Sequence, residues 1–73
     1  MHFPETYTPA TLTRELVFNH QTMARSRAKT LIVGSQIRVR YNAKEGRFDA
    51  TATLDNQPMV KKDINTNAFE FNA

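Results

Sequence analysis

Seven basic side chains crowd one stretch of this 73-residue chain: Arg25, Arg27, Lys29, Arg38, Arg40, Lys44 and Arg47 lie between positions 24 and 47, where Glu45 is the only acid. Outside that stretch Arg14, Lys61 and Lys62 face six carboxylates, so the chain's net charge of +3 conceals a division into a basic and an acidic part. Guanidinium groups pair bidentately with phosphate oxygens and with guanine edges, and a one-signed surface attracts polyanions over a Debye length of about 8 Å at physiological salt. The chemistry these residues suit is therefore capture of an anion. Nucleic acid, held chiefly through its phosphates with release of counterions, is the first expected partner. An acidic protein surface is the second, which would make the chain a small protein-protein interaction module, an inhibitor or adaptor of the kind mobile genetic elements carry. A plainer reading competes with both: the outer face of an antiparallel sheet is polar anyway, and arginine stems cover apolar surface while their heads stay wet.

The same inventory argues against catalysis. His2 and His20 have no partner at metal-ligand or triad spacing, Ser26 and Ser35 stand alone, and the carboxylates are scattered. The two glycines, Gly34 and Gly46, cannot form a phosphate-cradling glycine-rich loop. The expectation is a non-enzymatic binding protein without cofactor or metal. The absence of cysteine removes disulfides and thiolate zinc sites, which suits a reducing cytoplasm. No apolar run approaches the roughly 20 residues of a spanning helix, so no membrane is expected. A chain this short buries only about 60% of its unfolded surface, so a second copy is an allowed partner.

The elements that must position the basic residues follow from periodicity. Residues 1–7 lack it and include Pro4, so they read as a flexible lead-in to a single small domain at 8–73. Thr8 before Pro9 is a helix-start signature, and Leu12, Leu16, Val17, His20 and Met23 recur at spacings of three and four. This predicts a helix near 9–23. Phe18 lies off that stripe and reads either as core at its margin or as an exposed docking anchor. From 24 to 33 the helix is expected to continue toward a cap at Gly34, the rival being a strand at 30–33 turning through Gly34-Ser35.

From Gln36 the period changes to two. Ile37, Val39 and Tyr41 alternate with Arg38 and Arg40, and Phe48, Ala50, Ala52 and Leu54 alternate with Arg47, Asp49, Thr51 and Thr53. Inner faces agree if Tyr41 opposes Phe48, which leaves a four-residue loop at 43–46 and sets Arg40 against Asp49. Arg38, Arg40 and Arg47 then project outward from a two-stranded ribbon beside Thr51 and Thr53, a shape that suits the major groove of duplex DNA. Tyr41 and Phe48 point inward, so no stacking platform is evident. Residues 55–58 read as a turn. Residues 59–64 read as an edge strand guarded by an inward Lys62. After Asn65-Thr66-Asn67 a last strand begins at Ala68, with Phe69 and Phe71 on one face. The expected architecture is α+β, one N-terminal helix packed on a three- to four-stranded antiparallel meander.

Overall fold

A computed structural model of the chain describes residues 3–20 and 28–72. Seven strands form one curled antiparallel sheet, a half-barrel: β1 (Thr8–Leu12), β2 (Leu16–His20), β3 (Lys29–Leu31), β4 (Gln36–Asn42), β5 (Arg47–Leu54), β6 (Gln57–Ile64) and β7 (Phe69–Phe71), in the spatial order β3-β2-β6-β5-β4-β1-β7. The helical element among the described residues is a single 3-10 turn, Thr66–Ala68, before β7. The expected α+β fold is thus replaced by an all-β one.

In the segment read as a helix, 9–23, the described residues up to His20 form a long strand bent once, and 21–23 lie outside the described residues. Its apolar residues Ala10, Leu12, Leu16 and Phe18 all occupy even positions and all face the core, whereas Val17, expected on the helical stripe, is exposed. Residues 13–15 interrupt the strand. Thr13 anchors the bend by donating its N–H to the Ala68 carbonyl (2.9 Å) and its hydroxyl to the Asn67 carbonyl (2.7 Å). On one side of the bend β1 lies between β4 and β7; on the other β2 lies between β6 and β3. Since β1 and β2 stand far apart in strand order but are joined by three residues, the sheet has to curl until those regions meet.

A second bent arm completes the curl. Thr11 opposes Gln36 and Leu16 opposes Leu31, so one antiparallel register runs through both arms, with the Leu12 N–H on the Ser35 carbonyl (3.0 Å) and the Gly34 N–H on the Leu12 carbonyl (2.9 Å) between them. The helical extension expected for 24–33 is contradicted at 29–31, which is β3; residues 24–27 lie outside the described ones. Gly34 forms no two-residue hairpin with Ser35. It takes φ +91° at the third position of an Ile32–Ser35 turn closed by the Ser35 N–H on the Ile32 carbonyl (3.1 Å).

The β4–β5–β6 meander keeps the expected register, Tyr41 opposite Phe48 and Arg40 opposite Asp49. Gly46, at φ +68°, closes the 43–46 loop by donating its N–H to the Asn42 carbonyl (2.7 Å). A Cβ there would meet open space, so Gly46→Ala should cost only the backbone strain of a left-handed residue, about 1 kcal/mol, measured by urea unfolding. Asp55 and Asn56, both with positive φ (51° and 62°), form the tight turn of the next hairpin.

β6 is not the edge strand expected for 59–64, because β2 pairs with its far side. Its irregular alternation has a local cause. A bulge opposite Asp49, with Asp63 at φ +57°, shifts the pattern so that Met59 and Ile64 both reach the core and Lys61, rather than Lys62, opposes Ala50.

The core fills the concave side. Leu12, Phe18, Val39 and Met59 are its most completely buried large side chains, and Ala10, Ala50 and Ala52 let the walls approach. Rings at 4.9 to 5.5 Å centroid spacing link Phe3, Tyr41, Phe48, Phe69 and Phe71. Phe3 and Pro4 therefore lie on the sheet, the latter accepting the Tyr41 N–H (2.7 Å). Phe18 is fully buried, which overturns its reading as an exposed anchor.

Candidate nucleic-acid interface

Strand alternation on β4 and β5 sends Ile37, Val39, Tyr41, Phe48, Ala50 and Ala52 to the core, so their neighbours Arg38, Arg40, Arg47, Asp49 and Thr51 belong to the outer, convex face. Arg38 is exposed there, and Arg40 and Arg47 are half-buried. Lys44 is exposed in the adjoining loop. Lys29 is separate: it is on β3, opposite the buried Phe18, and lies 3.9 Å from Asp55. Arg25 and Arg27 fall outside the described residues. The structure thus brings together Arg38, Arg40, Lys44 and Arg47 and leaves Lys29 apart.

Asp49 organises this face. The sequence suggested an exposed Arg40–Asp49 pair, but the carboxylate is only 2% exposed and has several partners. Asn42 donates its amide to Oδ2 (3.2 Å), while Arg47 Nε (3.0 Å) and the Asp63 N–H (3.3 Å) donate to Oδ1; Arg40 approaches as an ion pair at 3.7 Å. Burial pushes the Asp49 carboxyl up, but the hydrogen bonds from Asn42, the Asp63 N–H and Arg47, with Arg47's charge, outweigh it and hold the group below the usual carboxylate value. Asn42 also fixes the loop, its Oδ1 accepting the Glu45 N–H (3.1 Å). One buried anion therefore sets the posture of two arginines and of the loop carrying Lys44.

Two hydrogen-bonding expectations change. Thr51 donates its hydroxyl to the Met59 carbonyl (2.8 Å), so that proton is already committed. Arg40 Nε is shielded from water and unpartnered, and the Arg40 guanidinium instead lies over the Tyr7 ring, Cζ 5.0 Å from the centroid. Tyr7 is the site residue that sequence reasoning missed. No local sequence pattern pointed to it: only the β1–β4 register, in which Thr8 opposes Val39, sets Tyr7, one step earlier, opposite Arg40 on the outer face.

Among the described residues no group of three or more His, Cys, Asp or Glu side chains is gathered as a metal ion would need, and no helix is long and apolar enough to cross a membrane. No protein-family model, curated protein or solved structure matches the chain.

Proposed function

We propose that this protein is a non-enzymatic, cytoplasmic binding protein that holds nucleic acid on the outer face of β4 and β5, mainly through phosphate contacts from Arg38, Arg40, Lys44 and Arg47. The observation that carries this reading is the shared outward direction of the three arginines on adjacent strands, with their one interspersed carboxylate, Asp49, buried beneath them. The buried anion restrains Arg40 and Arg47 at one end and leaves the face net positive, and restrained guanidinium groups lose less freedom when they bind.

The test is fluorescence anisotropy of labelled DNA and RNA at ~50 mM and ~200 mM salt, a range over which phosphate-driven affinity falls steeply. Arg38→Ala, which removes an exposed side chain, should weaken binding on every sequence alike and lower the slope of log affinity against log salt by roughly 0.7 to 0.9. Absence of binding at both salts rejects the proposal.

A second reading, docking on an acidic protein surface, is favoured by one observation: Ile32 and Val33 are 68% and 61% exposed beside the short strand β3, which also carries Lys29. Under that reading Ile32→Ser, not Arg38→Ala, would abolish the interaction.

A further inference from the structure

We infer that the outer face is built for a single nucleic-acid strand, with one base stacked on Tyr7, and not for a duplex; this rests on the nucleic-acid reading above. The sequence suggested a two-stranded ribbon entering a major groove, but β4 and β5 are not a free ribbon. β4 is paired with β1 along Gln36–Val39, and β5 is paired with β6 along nearly its whole length. Four strands at about 4.8 Å spacing span about 14 Å before side chains are added, against a groove about 12 Å wide. A duplex is stiff over roughly 150 base pairs and would touch a convex face along a short line, whereas a single strand can follow the curvature.

Tyr7 supplies what a single strand needs. Its residue is 36% exposed although Arg40 lies over the ring, so part of Tyr7 stays open to solvent at the margin of the arginine cluster. Base stacking on such rings tolerates any sequence, and a neighbouring guanidinium adds to it. Arg38 and Arg40 are two residues apart on one strand face, about 6.7 Å, comparable to the step between phosphates of an extended strand. Guanidinium groups on β4 can thus track the backbone while the ring takes a base. Phe3, the other exposed ring near the N-terminal end, packs its edge on Phe48 on the core side and does not join this face.

The experiment is anisotropy with a labelled mixed-sequence oligonucleotide of about 15 bases, single-stranded and annealed to its complement, a length that exceeds the site of one small binding face. Wild type should prefer the single strand by about tenfold or more. Tyr7→Phe should keep that preference. Tyr7→Ala should lose about tenfold on the single strand, with the salt slope unchanged, because a stack and not a phosphate contact is removed. Thermal unfolding of both variants controls for packing. With no tryptophan in the chain, tyrosine fluorescence in a Tyr41→Phe background reports on Tyr7 directly and should be quenched by the single strand. Equal or tighter duplex binding that depends on Arg38 but not on Tyr7 overturns the stacking inference and leaves the nucleic-acid reading standing. Failure of both oligonucleotides to bind overturns both.

Discussion

Asp49→Ala should destabilise the protein by about 2 to 4 kcal/mol in urea unfolding, a large fraction of what a domain of this size possesses. The cost does not come from stranded positive charge, since the Arg40 and Arg47 side chains keep 40% and 30% of their exposure and stay hydrated. It comes from the Asn42 amide and the Asp63 N–H, which lose their acceptor in a place water does not reach freely, at about 1 to 3 kcal/mol for each such group. Asp63 holds a left-handed conformation at the bulge, so losing the bond that fixes its N–H also releases the device that re-phases β6. Asp49→Asn should cost less, because one oxygen can still accept.

The same pair of proteins separates by pH. The folded pKa of Asp49 lies below its unfolded value of about 3.9, so in acid the unfolded chain binds the proton first and stability falls with pH. The contribution is complete above about pH 4 and is lost as pH drops through the depressed folded value. Wild type should therefore lose stability more steeply below pH 4 than Asp49→Asn does. Parallel acid limbs would show that Asp49 is not the group responsible.

Phe18→Ala should cost about 3 to 5 kcal/mol, the usual range for a phenylalanine removed from a packed core, and should leave much of the protein unfolded without denaturant. Phe18→Leu should be much milder, and Ile32→Ala, at an exposed position, should fall within about 0.5 kcal/mol of wild type. A Phe18→Ala protein as stable as Ile32→Ala would mean that the bent arm does not line the core.

Phe18 also shows why the first third of the chain was misread. Leu12, Leu16 and His20 are spaced by four, and a spacing of four satisfies a helix and a strand equally. Three residues decide between them: Phe18 fits only the period of two, while Val17 and Met23 fit only the helix. Thr8-Pro9 weighed toward the helix because it resembles a cap. In the fold Pro9 instead sits at the far end of the β1–β7 pairing and contributes through its carbonyl, which accepts the Asn72 N–H (3.1 Å). Where neighbours in sequence are neighbours in space, as in β4–β5, alternation and loop length sufficed to give the register and the outward arginines. The tie from Thr11 to Asn72, the placement of β2 beside β6 and the stacking of Tyr7 on Arg40 join distant residues, and no local pattern encodes them. The burial of Asp49 was hidden for a related reason, since it depends on a bulge in the neighbouring strand.

The β1–β7 ladder sets Ala10 beside Phe71, residues far apart in sequence. A refolding molecule cannot close this seam until the intervening hairpins already hold their shape, because the closure of so long a loop is rewarded only by that last pairing. The β4–β5–β6 hairpins, with short tight turns, are the natural starting point of assembly, and the arginine face is largely built at that stage. Tyr7 arrives when β1 docks on β4, so the binding surface matures in two steps, charge first and ring last.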